Sequence, residues 1–246
     1  MSAVAGRRPG ADRAGPRRPG QRWRGGRGDR VSEGYDAVLF DLDGTLIDSA
    51  PIICRAMAET LANYGYPRTE ESLRPYVGPP LWFTFAEVTG ESPEVIDAIV
   101  RDYRARYAEL MPATPVFEPV VGLVRRLHRR GVPLALATSK QRTAAQRLLE
   151  LHGMTDLFTA VQGAGDDAAS AAKSTVIARA LADLRVADVA ARHPVLVGDR
   201  SHDVEGAAVH RMPTILVGWG YGSPAERVGV PVAEDVAELE ELLSGR

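Results

Sequence analysis

The chain is 246 residues long and holds a single cysteine, Cys54, so no internal disulfide can form. That suits a reducing compartment and leads to the expectation of a cytoplasmic protein. No apolar run approaches the ~20 residues needed to cross a membrane, which argues against a membrane protein. No repeat of fixed period is visible, so solenoids and propellers are set aside. Residues 51–112 contain no lysine. The net charge of −2 averages two unlike parts: nine Arg against Asp12, Asp29 and Glu33 give residues 1–34 a charge of +6, leaving −8 for the rest. So acidic a balance argues against a nucleic-acid surface on the folded part.

Against these absences stands the segment Asp41-Leu42-Asp43-Gly44-Thr45-Leu46. It follows Ala37-Val38-Leu39-Phe40, an apolar run without alternation, which reads as a strand buried on both faces. Two carboxylates therefore stand at the end of a buried strand, where open α/β sheets bind their ligands. Side chains two apart on a strand point the same way, and two negative charges so close call for a cation or a shared proton. A divalent metal meets that need. A calcium loop does not fit, because the acids end a buried strand and no glutamate follows at the required spacing.

Further along, Val195-Leu196-Val197-Gly198-Asp199 is a second apolar strand running into an acid, with Asp203 four residues on at a helix start. Between the two lie Leu134-Ala135-Leu136-Ala137-Thr138-Ser139-Lys140, with a strand expected over Pro133–Thr138 that ends in hydroxyls, and Lys173, which opens a helical pattern. Elsewhere strands alternate with helices, which implies a parallel sheet covered on both faces. Residues 51–112 break that alternation. Ser49-Ala50-Pro51 starts a helix, Ser92-Pro93 starts another, and shorter helices are expected near Glu70–Tyr76 and Leu81–Thr89.

Acid pair, hydroxyl, lysine and acid pair, in that order at strand and helix ends, resemble the four motifs of the haloacid dehalogenase superfamily, and in particular its phosphatase branch. The resemblance runs from about Tyr35 to the end of the chain. It implies a doubly wound, Rossmann-like α/β core over residues 35–50 and 113–246, with an all-α type 1 cap inserted at 51–112 and hinges near Ser49–Pro51 and Met111–Pro119. It also implies roles. Asp41 attacks phosphorus, and Asp43 serves as general acid and then base. Thr138 and Ser139 bind phosphate oxygens, and Lys173 neutralises the nucleophile and the transferring group. Mg2+ is held by Asp41, the carbonyl of Asp43, Asp199 and Asp203. The turn Tyr76-Val77-Gly78-Pro79-Pro80-Leu81 reaches the site from the cap, making Gly78 a candidate for substrate contact. The chain departs from many relatives in having Ser174, not proline, after the lysine.

Asp43 favours phosphoryl chemistry over dehalogenation, and a cap without lysine excludes the imine needed for phosphonate hydrolysis. The expected activity is hydrolysis of a small phosphorylated metabolite, of the phosphoglycolate or nucleoside 5′-monophosphate class, through an aspartyl-phosphate. A sugar phosphomutase would use the same residues and stays open at this point. A degenerate, non-enzymatic relative is disfavoured because Asp41, Asp199 and Lys173 are all present. His202 is expected at the rim of the site, and Asp166 and Asp167 are expected in a solvated loop.

Residues 1–34 are a different kind of sequence. Rich in Arg, Gly and Pro, with Val4, Trp23 and Val31 almost alone as larger apolar residues, they cannot bury enough surface to fold. They also lack the apolar h-region of a secretion signal. A disordered extension is expected, with Val31 as a candidate translation start; the alternative is an arginine-rich arm for nucleic acid or a membrane surface. Mass spectrometry of the native protein should find no peptide from before Val31, and finding one would refute that start.

Overall fold

The computed structural model describes residues 34–165 and 169–245. The expectations for the N-terminal extension, for Val31 as a start, and for Asp166 and Asp167 lie outside the described residues.

The apolar run that opens the fold is strand β1 (Ala37–Phe40), buried at all four positions. A turn leads into four helices, α1 (Ala50–Asn63), α2 (Glu70–Leu73), α3 (Leu81–Thr89) and α4 (Pro93–Leu110). Prolines in the first turns of α1 and α4 sit where no intrahelical N–H bond is lost. Alternation then resumes with α5 (Glu118–Arg129), β2 (Leu134–Gln141), α6 (Arg142–Leu151), β3 (Ala160–Ala164) and α7 (Lys173–Val186). After these come β4 (Pro194–Gly198), α8 (Ser201–Val209), β5 (Thr214–Val217), β6 (Val232–Ala233) and α9 (Val236–Ser244).

The six strands form one parallel sheet in the order β3-β2-β1-β4-β5-β6. The α/β class expected from the alternation is what the structure has. Successive residues of β1 feed opposite faces: Val38 and Phe40 pack with α5 and α9, whereas Ala37 and Leu39 pack against Val176, Ile177 and Ala180 of α7. Alanines at 37, 135 and 137 let α7 lie close to the sheet. Because β1 pairs with β2 on one side and β4 on the other, the chain order reverses at β1. A crevice opens there at the carboxyl ends of the strands, and all the candidate motifs end at it.

Two differences from expectation have physical causes. Residues 70–76 do not make one helix, because Pro75 has no N–H to give and the chain tightens into a 3₁₀ turn over Arg74–Tyr76. Strand β2 does not stop at Thr138 but runs on through Ser139, Lys140 and Gln141 after a register shift against β3. The two crossings into the helical insertion are tied to each other. Asp48 N–H donates to Pro115 O at 2.9 Å, and Phe117 N–H donates to Leu46 O at 2.9 Å.

Cys54 lies inside this core on α1, 2% exposed, and burial pushes its thiol up to about 11. A thiol so placed is a poor nucleophile. A water-soluble disulfide reagent should leave it unlabelled in the folded chain and label it in denaturant, and labelling of the folded chain at the denatured rate would show that α1 packs otherwise.

Candidate active site

Asp41 continues the β1 ladder, with its N–H donating to Val197 O at 2.8 Å. This fixes its carboxylate at the mouth of the crevice, 5% exposed. Lys173, the first residue of α7, reaches it: Nζ lies 2.6 Å from Asp41 Oδ1 and 2.6 Å from Asp203 Oδ1. The other oxygen of Asp203 accepts from the N–H groups of Asp199 and Arg200, both at 3.1 Å. Asp203 therefore holds the lysine with one oxygen and the loop after β4 with the other. Asp199 Oδ2 accepts from Tyr221 N–H at 2.6 Å.

The packing around Asp199 is close enough to dictate sequence. Gly44 has φ +79°, and a Cβ there would stand 2.2 Å from Asp199 Oδ2. The turn after the first acid pair thus requires glycine both for its backbone and for the space.

Asp41, Asp199 and Asp203 each offer an oxygen, and the three oxygens lie within 4.8 Å of one another. Burial pushes the Asp41 carboxyl up to about 6, with Lys173 opposing and Asp203 and Asp43 adding to the rise. Burial, followed by the charges of Asp203 and Asp41, raises Asp199 well above the carboxylate range. Burial works against ionisation of Asp203 too, but there Lys173 and the neighbouring backbone amides win and hold it low. Two carboxylates pushed up by desolvation and by neighbouring acids, presenting oxygen ligands only, fit a hard divalent cation.

Asp43 sits beside this cluster. Its Oδ2 is 3.0 Å from Lys140 Nζ, while Oδ1 is buried and has no hydrogen-bond partner among the described residues. Thr138 Oγ1 accepts from Lys140 N–H at 3.2 Å, which leaves the hydroxyl proton to donate. The structure therefore gathers Asp41, Asp43, Thr138, Lys173, Asp199 and Asp203 in one place. Ser139 and Gly78 line an adjoining cavity of about 240 Å³, together with Asp43 and the aromatic rings of Trp82, Tyr103 and Tyr107.

Gly78 is placed by contact with the core. Arg200 Nη1 donates to Val77 O, Arg200 Nε pairs with Glu226 Oε2 at 2.9 Å, and a Cβ on Gly78 (φ +113°) would stand 3.1 Å from His202 Cε1. His202 accordingly lies at the rim, against the helical insertion.

Two residues were not anticipated from sequence. Lys140 was read only as a residue just beyond a strand end; it neutralises Asp43 and lies 4.4 Å from the centroid of the Tyr107 ring. Burial alone would lower its pKa, but Asp43, with Tyr107 and Tyr103, raises it above the usual lysine range. Lys140 and Lys173 are the chain's two lysines. Tyr221 ties Asp199 to the start of α1, since its hydroxyl donates to Asp48 Oδ1 at 2.9 Å and accepts from Ala50 N–H at 2.9 Å. Its position in a Gly-rich loop carried no signal for this.

Replacing Asp199 by Asn should relieve repulsion, raising the metal-free melting temperature by roughly 2–4 °C per kcal/mol relieved. The same variant should lose the stabilisation that a bound divalent cation gives, about 2.7 kcal/mol at a hundred times Kd. Equal cation-induced shifts in wild type and variant would remove Asp199 from the metal site.

Comparison with known proteins agrees with this geometry. The family profile of haloacid dehalogenase-like hydrolases matches residues 38–217. The chain is 40% identical over 215 residues to the tyrosine-protein kinase PtkA of Mycobacterium tuberculosis, covering 85% of this chain and 72% of that one. It is 33% identical over 214 residues to a 5′-nucleotidase of Pseudomonas aeruginosa, covering 85% and 96%. A crystal structure of a predicted phosphatase from Clostridium acetobutylicum superposes with a TM-score of 0.78 at 31% identity, over 85% of this chain and 98% of that one. With the strand order, the acid cluster and these likenesses in agreement, the chain belongs to the haloacid dehalogenase-like hydrolases.

Proposed function

We propose that the chain is a magnesium-dependent phosphatase of small phosphate monoesters, working through a phosphoenzyme on Asp41. The observation that carries this reading is the Lys173 ammonium, 2.6 Å from both Asp41 and Asp203, beside an Asp43 Oδ1 that has no hydrogen-bond partner among the described residues. Phosphate esters resist hydrolysis because their charged oxygens repel an attacking anion. Asp41 is ready to attack only where positive charge and hydrogen-bond donors receive the phosphoryl group.

Lys173 supplies part of that charge, and the free hydroxyl proton of Thr138 supplies a donor, with Ser139 nearby. Mg2+ would be held by Asp41, the backbone carbonyl of Asp43 and Asp199, with Asp203 orienting its water shell or binding it directly. When bound, it would neutralise the transferring oxygens and the carboxylates around them. Asp43 gives a proton to the leaving alcohol and later takes one from the attacking water. The helical insertion excludes bulk water, and the turn around Gly78 meets the part of the substrate that is not phosphate. Likeness to a 5′-nucleotidase supports a nucleoside 5′-monophosphate among the substrates, and a cavity of about 240 Å³ also admits a small acid such as phosphoglycolate.

A phosphoaspartyl group can pass to acceptors other than water. The likeness to a tyrosine-protein kinase makes a tyrosine hydroxyl an acceptor to include beside sugar phosphates. The purified chain is expected to release phosphate from a monoester panel only with magnesium, and Asp41→Asn is expected to lower the rate at least ~10⁴-fold, by loss of the nucleophile. Transfer to tyrosine, or interconversion of sugar phosphates, without phosphate release would replace the hydrolase reading by a transferase one.

A further inference from the structure

Asp43 has to present one particular oxygen to the leaving group, and a carboxylate does not do this unaided. The terminal torsion of aspartate is broad and nearly two-fold, so its two oxygens exchange unless something outside the residue distinguishes them. Here something does. Lys140 Nζ stands 3.0 Å from Oδ2, and the two side chains are 8% and 11% exposed. Oδ1, also buried, has no hydrogen-bond partner among the described residues, and Asp43 lines the cavity that adjoins the site.

We propose that Lys140 is a positioning residue for Asp43, holding Oδ2 so that Oδ1 carries and receives the catalytic proton, and that the Tyr107 ring of α4 holds Lys140 in turn. This rests on the phosphatase reading given above. An ammonium is a donor without acceptor capacity, so the oxygen it binds accepts and the proton of the neutral acid resides on the other. In the first step Asp41 attacks phosphorus and the bond from phosphorus to the alcohol oxygen breaks. The electron pair stays on that oxygen, which takes the proton from Asp43 Oδ1 and leaves as neutral alcohol. In the second step water attacks phosphorus, its proton passes to Oδ1, and the Asp41–phosphorus bond breaks to return the carboxylate and free phosphate. Oδ2 stays with Lys140 throughout.

The rest of the surroundings agree. Lys140 Nζ lies 4.4 Å from the Tyr107 ring centroid, a cation–π distance, and its backbone N–H is fixed on Thr138 Oγ1 at 3.2 Å. Tyr107 stacks on Tyr103 at 5.9 Å, and Tyr103 packs edge-on against Phe85 of α3 at 5.7 Å. Asp43 follows β1, Lys140 ends β2 and Tyr107 belongs to the helical insertion, so orientation of the acid depends on that insertion being seated. Lys173 does different work, because it meets Asp41 and Asp203 and not Asp43.

Leaving-group dependence separates this role from a structural one. An alkyl phosphate needs a proton on its departing oxygen, whereas p-nitrophenyl phosphate does not. The ratio kcat/KM reports steps up to phosphoenzyme formation for both. In Lys140→Met the ratio of kcat/KM for p-nitrophenyl phosphate to that for the best alkyl monoester should rise by ~10²-fold, the lower end of what general acids contribute. Lys140→Arg should restore much of the original ratio, and Tyr107→Leu should shift it in the same direction by less. A fall of equal size for both substrates, or no change for either, would overturn the proposal while leaving the phosphatase reading intact. A wild-type chain silent on both substrates would remove that reading, and this inference with it.

Discussion

Mutual repulsion among buried carboxylates is the constraint around which this molecule is built. Asp41, Asp43, Asp199 and Asp203 are all at most 9% exposed and lie just beyond two neighbouring strands, Asp203 in the first turn of α8. Four such charges would not stay ionised there without compensation. Two lysines provide part of it, one bridging Asp41 and Asp203 and the other paired with Asp43. Backbone amides supply more, two to Asp203 and one to Asp199. What is left over falls on Asp199 and Asp41, the two carboxyls pushed upward, and that residual charge is what makes the place receptive to a cation.

The helical insertion is attached to this cluster at more points than its two crossings. The crossings hydrogen-bond to each other through Leu46, Asp48, Pro115 and Phe117. Tyr221 reaches from the loop after β5 to the start of α1 while its backbone holds Asp199. Arg200, next in sequence to Asp199, binds the carbonyl of Val77 in the turn that carries Gly78. Any displacement of the insertion is thus felt by the residues flanking the acids, with no need for a long-range path.

Much of this was legible in the chain itself, for identifiable reasons. Val38-Leu39-Phe40 and Val195-Leu196-Val197 are apolar without alternation because both faces of the sheet are covered, so the parallel class could be read directly. Helix starts carrying proline, as in α1 and α4, left local marks. Asp41, Asp43, Thr138, Lys173, Asp199 and Asp203 were visible because each stands where a strand or helix ends. Lys140 and Tyr221 were not. The pairs Lys140–Asp43 and Tyr221–Asp48 join residues far apart in the chain, and nothing in their neighbours announces it. The extension of β2 beyond Thr138 was hidden because Ser139, Lys140 and Gln141 are polar and only half-buried. Strand β6, two residues long, is too short to leave a pattern.

The chain meets its need for positive charge almost wholly with arginine: 28 of its 30 basic residues are Arg, and the two lysines both lie at the active site. Reagents that acylate amines do not react with guanidinium, and a lysine held as a buried ammonium has no lone pair to offer them. Apart from its terminal amine, the folded molecule is therefore nearly invisible to amine-directed acetylation, cross-linking and surface coupling. Whatever acylation does occur on a side chain would be a signal from the cleft, where a lysine has let go of its aspartate.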